Sequence, residues 1–248
     1  MTHGTAVSGS FLGLVVGLLI VAVFMVVQPD LARAAVFPFV LVGWLISLCL
    51  HEFGHAIAAY ACGDHSVREK GYLTLDPLHY TNAQFSIIWP LVFLALGGIG
   101  LPGGAVYIDT RALRSPASRS LVSAAGPIAT LLLLILLLIV LAAVPRTPFL
   151  YEALAFLAFL EVSALVLNLL PVPGLDGWGI IEPWLPIDIR ESGARLAPIG
   201  PTLLFMAFFM IPSVNGMFWR LVFDVAQITH LDARAAIQGL HLFQFWRY

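Results

Sequence analysis

The chain has 248 residues, 60% of them apolar and only 10% charged, with a formal net charge of −2 and a mean hydropathy of +0.96. A soluble domain carries about 25% charged residues, so this composition excludes an ordinary water-soluble fold. The lack of a basic surplus also speaks against nucleic acid as a partner.

Apolar runs of about 17–25 residues are long enough to cross a bilayer. The first lies near 9–27. No Lys or Arg precedes it within the first ten residues and no A-x-A-like site follows it, so it reads as a retained accessory helix and not as a cleaved signal peptide.

The second run, 36–62, contains His51-Glu52-Phe53-Gly54-His55. A charged residue at the centre of a bilayer costs about 2.5–3.5 kcal/mol even on the lenient insertion scale, so these side chains need a compensating role. Residues i and i+4 share a helix face, which lets His51 and His55 aim at one tetrahedral zinc at roughly 2.0–2.1 Å. Glu52, rotated by about 100° from His51, falls beside such a metal, where a general base belongs. The pattern predicts metal-assisted hydrolysis, in which zinc brings the pKa of its water toward about 7. Gly54 admits a close neighbour. Cys49 and Cys62, the two cysteines, fit no zinc spacing and are expected to pack as small apolar residues.

Beyond the second run, Tyr72-Leu73-Thr74-Leu75-Asp76-Pro77 alternates like a short strand, and Ala105-Val106-Tyr107-Ile108 is a second strand candidate. A substrate could add to either edge. The short run 85–101 is interrupted by Pro90 and Gly97-Gly98. Runs 119–144, 149–172 and 196–212 complete the spans, and the aromatic and arginine-bearing tail from 213 reads as interfacial.

Two histidines do not complete a catalytic zinc site, which usually has three protein ligands. Glu152, Glu161 and Asp176 are the candidates for the third. Asp176 lies in Asn168-Leu169-Leu170-Pro171-Val172-Pro173-Gly174-Leu175-Asp176-Gly177, an irregular stretch that membrane depth tolerates only around a cavity or inside protein. An Asp-Gly turn is its plainer explanation. Glu161 could hydrogen-bond within the bundle behind the metal ligands.

These motifs resemble the site-2 protease family of intramembrane zinc metalloproteases. The resemblance runs over roughly 36–185 and rests on His51 to His55, on Asn168-x-x-Pro171-x-x-x-Leu175-Asp176-Gly177, and more weakly on Tyr72–Leu78 and Ala125-Gly126-Pro127-Ile128-Ala129-Thr130. It implies one zinc held by His51, His55 and Asp176, with Glu52 as base and Asn168 orienting substrate or stabilising the oxyanion. The substrate would be a transmembrane protein or peptide. Thr130 departs from the family's Asn, Glu161 stands where a neutral polar residue is more usual, and the chain has no room for a PDZ or CBS domain.

The expected fold class is an all-α polytopic membrane protein with about five to six transmembrane helices, a small membrane-associated β element and a re-entrant segment. It would form one membrane-embedded domain over 1–248: accessory helix 9–27, catalytic core 36–185, and a C-terminal helix with interfacial tail over 196–248. Both motifs lie at the C-terminal ends of their helices, and one zinc must touch both. With 119–144 as the single return crossing, 85–101 must therefore re-enter or lie peripherally. Arg68, Lys70, Arg111, Arg114, Arg119, Arg190 and Arg195 fall on the catalytic side, against Arg33 and Arg146 opposite. The positive-inside rule then places that side in the cytoplasm of a bacterial-type plasma membrane. Two rivals use the same residues: a transporter or ion relay built on the His/Glu/Asp cluster, which inverted repeats would support although none is evident, and an inactive protease-like scaffold.

Overall fold

A computed structural model describes residues 7–77, 79–80 and 106–247. Among the described residues, four helices are long and apolar enough to cross a membrane: α1 (Gly9–Val27), α2 (Pro29–Cys62), α4 (Pro116–Ala143) and α5 (Leu150–Asn168). The short α3 (Ser66–Glu69) lies between α2 and α4. The chain then continues through α6 (Asp176–Ile181), α7 (Ile187–Leu196), α8 (Gly200–Met210), α9 (Pro212–Ile228) and α10 (Ala233–Phe243).

Burial sorts these helices. α5 is apolar on every side and almost wholly buried, so it is the central post of the bundle, as expected for a helix without a polar face. α2, α4 and α10 pack around it, while α1 leans on α2 and leaves most of its surface for lipid. The main core joins Val36, Phe39, Val40 and Trp44 of α2 to Leu134 and Leu137 of α4 and to Phe156, Leu160 and Leu167 of α5. At 34 residues, α2 is about 51 Å long, well beyond the roughly 30 Å of a hydrocarbon core.

Three expectations need correction. Tyr72–Thr74 is a 3₁₀ turn, because Gly71 (φ 79°) and Leu75 (φ 54°) on either side take left-handed conformations that end any extended run. Val106–Ile108 is extended but joins no ladder, and there are no strands among the described residues, so the β element and its substrate edge are not present there. The 196–212 run is not one straight span: α7 and α8 meet at a bend of 72° after Leu196, where Pro198 cannot supply a helical N–H. Among the described residues the candidate spans therefore number four, or five if that bent pair is one span.

The tail is also more than an interfacial skirt, since α10 buries Ala235, Ala236, Gly239 and Phe243 and packs along α5. The candidate re-entrant segment 85–101, and Ala105 of the second strand candidate, lie outside the described residues.

After α2 ends at Gly63, Asp64 becomes the local staple. It is 1% exposed. Its Oδ1 accepts from the Ser66 amide (3.0 Å) and hydroxyl (2.6 Å), and its Oδ2 accepts from the Asp109 amide (2.7 Å). Lys70 Nζ donates to Tyr107 O (3.0 Å) and the Arg114 amide to Cys62 O (3.3 Å), so residues 106–114 are held against the end of α2.

Burial works against the Asp64 charge, but the Ser66 and Asp109 donors outweigh it and hold the carboxyl below the usual carboxylate range. A depressed folded-state pKa gives stability that is complete above the unfolded value of about 4 and is lost as pH falls through the folded value. Asp64→Asn should therefore cost about 1–3 kcal/mol at pH 7. The difference from wild type in thermal melting should shrink below about pH 4; an equal gap at both pH values would contradict this account.

Candidate active site

His51 and His55 lie one turn apart on α2, both buried. Asp176 opens α6, and its carboxylate reaches both imidazoles: Oδ2 lies 3.2 Å from His51 Nε2 and Oδ1 lies 3.3 Å from His55 Nε2. The two Nε2 atoms are 3.1 Å apart. The predicted triad is thus brought together from positions 121 residues apart in the chain (176 − 55).

The local chain explains how Asp176 gets there. α5 stops at Asn168, and the Pro171-Val172-Pro173-Gly174 stretch turns the backbone back. At Gly177 the chain presses against the Leu169 and Leu170 carbonyls at the end of α5, where any side chain would collide. Ser120 of α4 then anchors α6, its hydroxyl donating to Ile180 O (2.6 Å) and accepting from Trp184 Nε1 (2.8 Å).

α4 is the mount for the other half of the site. His55 Nδ1 lies 2.7 Å from the Val122 carbonyl, which can only accept, so the ring proton sits on Nδ1 and Nε2 keeps its lone pair. His51 Nδ1 lies 2.9 Å from Thr130 Oγ1. Gly126 faces both rings: an added Cβ would fall on His55 Nε2 and 2.6 Å from His51 Nε2. On the same crossing, a Cβ on Gly54 of α2 would lie 2.6 Å from Ala125 O. The two helices meet at this depth because both are bare there.

This donor set fits a zinc ion. An outward-pinned imidazole, a second imidazole and a carboxylate converge their lone pairs, an arrangement that a cation relieves. The two Nε2 atoms are 3.1 Å apart, close to the edge of about 3.3 Å of a tetrahedron with bonds of about 2.0 Å, and each lies within 3.3 Å of one or the other oxygen of the Asp176 carboxylate. One ligand atom from each of the three residues falls within 4.8 Å of the others.

The remaining predicted residues divide. Glu52 is buried beside the cluster without belonging to it, and its Oε2 accepts from the Val106 amide at 3.1 Å. Asn168, the last residue of α5, is buried and shares a small cavity with His51. Glu161 is fully buried, two turns before Asn168, and accepts from Ser47 Oγ of α2 (2.7 Å). Glu152 stands in the first turn of α5, about 24 Å along the helix from Asn168, which removes it from the ligand candidates.

Sequence reasoning noticed Ala125–Thr130 only as a family likeness and missed what Val122, Gly126 and Thr130 do. The available signal was a glycine and a hydroxyl four residues apart on a leucine-rich helix, as required to pass close to and hydrogen-bond a histidine.

A model of peptidase family M50 matches residues 39–152, which include the two histidines and this α4 mount. The chain is 45% identical to the protein named zinc metalloprotease Rip2 of Mycobacterium tuberculosis, over 89% of this chain and 85% of that one. It is 44% identical to Rip2 of Mycolicibacterium smegmatis, over 87% and 83%. It is 27% identical to the protein named zinc metalloprotease YwhC of Bacillus subtilis, over 75% and 86%. No solved structure matches. Identity at this level across most of both chains, together with the His-His-Asp cluster, places the chain in peptidase family M50, the site-2 protease family.

Proposed function

We propose that His51, His55 and Asp176 hold one zinc ion and that Glu52 is the general base of a peptide-bond hydrolysis carried out inside the membrane. The enzyme is a site-2-type intramembrane zinc metalloprotease. The observation that carries the site assignment is the approach of the Asp176 carboxylate to two imidazole nitrogens that are themselves 3.1 Å apart, between helices that lipid otherwise surrounds.

Zinc, when bound there, supplies Lewis-acid polarisation of the scissile carbonyl and of the attacking water. The chain's own groups do the rest. Val122 and Thr130 hold the rings so that their Nε2 atoms face Asp176. Glu52 Oε1 is left for proton work while Oε2 is tied to Val106: it takes the proton from water and returns it to the leaving amide nitrogen. Asn168, at the broken end of α5, orients the substrate backbone or its developing oxyanion.

The substrate is a transmembrane segment of another protein, unwound near the cut because a helical amide is hydrogen-bonded and shielded. The catalytic face points to the cytoplasm, following the arginine and lysine distribution. The working part of the chain is 36–185, with α1 as an accessory.

The test is metal dependence. Purified protein should bind one zinc per chain and cleave a transmembrane peptide. Chelation should abolish cleavage, and zinc should restore it. Full cleavage by chelated, metal-free protein would refute the proposal.

A further inference from the structure

Behind the ligands, toward the middle of the bundle, lies a cavity of about 10 Å³ lined by Trp44, Ser47, Leu48, His51, Thr130, Ala164 and Asn168. That is about the room one water needs.

Its lining has the polar groups to hold one. Trp44 is 3% exposed, and its indole N–H has no partner among the described residues. Thr130 makes one hydrogen bond among the described residues, to His51 Nδ1. If His51 presents Nε2 to zinc, its Nδ1–H donates to Thr130, and the threonine proton is free to point into the cavity. Ser47 donates its own proton to Glu161, which leaves the lone pairs of its oxygen for the cavity.

We propose that this cavity binds one structural water. It accepts from Trp44 Nε1–H and Thr130 Oγ1–H, and it donates to Ser47 Oγ and Asn168 Oδ1. The water joins Glu161 and Ser47 to Thr130 and His51, so that a carboxyl buried in the hydrocarbon region sets the direction of every hydrogen bond up to the zinc ligand.

Glu161 is then a positioning residue. As an acceptor it forces Ser47 to donate away from the cavity. With an apolar residue at 161, Ser47 turns its proton inward, opposes the water and disturbs the ring beyond it. Four partners match the hydrogen-bonding capacity of one water, and an unmade bond to a buried donor such as Trp44 N–H is otherwise a standing cost.

This inference rests on His51 being a zinc ligand, and the experiment separates the two. Zinc retention against a competing chelator is measured on the full chain for Trp44→Phe, Thr130→Val and the double variant. Outer partners of metal-bound histidines typically contribute 10–100-fold to affinity. Each single change should weaken retention about 10-fold, and the double change should stay near 10-fold because both remove the same water. A double effect of about 100-fold, the product of independent losses, would overturn the proposal, as would an unaffected Trp44→Phe protein.

Glu161→Gln, whose carbonyl still accepts from Ser47, should keep wild-type retention, whereas Glu161→Leu should weaken it. Equal retention in the two would also overturn the proposal, even if the Trp44 or Thr130 variants failed to fold. His51→Ala serves as the control: unchanged zinc uptake there would remove the ligand assignment itself, and the water's role with it.

Discussion

Glu52→Gln should retain zinc and lose cleavage by roughly 10²–10⁴-fold, the range over which a positioned general acid–base group contributes. The substitution conserves volume in a buried site. Its amide oxygen can still accept from the Val106 N–H in place of the carboxylate oxygen, so the local packing survives. What it cannot do is take a proton from water. A transmembrane-peptide cleavage assay run alongside metal analysis gives both readouts. Normal cleavage by this variant would remove Glu52 from the mechanism. Retained biological function without cleavage would favour the scaffold reading, and proton or metal flux lost without any cut product would favour the ion-relay reading.

Asp176→Ala and Gly126→Ala should both weaken zinc binding strongly, from opposite causes. The first removes one ligand. Structural zinc held by four ligands is worth about 10–16 kcal/mol, so a single ligand carries about 3 kcal/mol, an affinity loss on the order of 10²-fold. The second removes nothing and adds one methyl, but that methyl falls where the two Nε2 atoms sit, so it must displace the imidazoles or push α4 off the close crossing with α2 that holds them. Zinc stoichiometry after dialysis against a mild chelator measures both. Wild-type zinc in Asp176→Ala would show that the carboxylate is not a ligand. Wild-type zinc in Gly126→Ala would show that the α2–α4 crossing is looser than its contacts indicate.

The membrane class, the four long spans among the described residues and the roles proposed for His51, Glu52 and His55 could all be read along the chain, because each depends on local quantities: the length of an apolar run, the periodicity of a helix and the cost of charge in hydrocarbon. Asp176 was legible through its proline and glycine surroundings, and the family resemblance singled it out from Glu152 and Glu161. The strand reading of Tyr72–Pro77 failed because alternation of side chains does not reveal backbone sign. Left-handed conformations at Gly71 and Leu75 end the run there. The tail misled for a related reason: aromatic residues mixed with arginine suit a membrane interface, but α10 also carries small residues that dock on α5.

By itself, then, the sequence determined that this is a membrane-embedded hydrolase of the zinc type, and it pointed to the residues proposed to hold the metal. Only the tertiary structure decided that α4 is the helix that seats them. It brings Val122, Gly126 and Thr130 against two histidines that lie 67 and 79 residues before their hydrogen-bond partners (122 − 55 and 130 − 51). It also places Trp44, Ser47 and Asn168 around one cavity, with Glu161 reaching it through Ser47. The physical reason is that ligand identity follows from what a side chain is, whereas ring orientation, tautomer and close approach depend on which backbone lies opposite. Local sequence pattern does not say which helix will lie opposite.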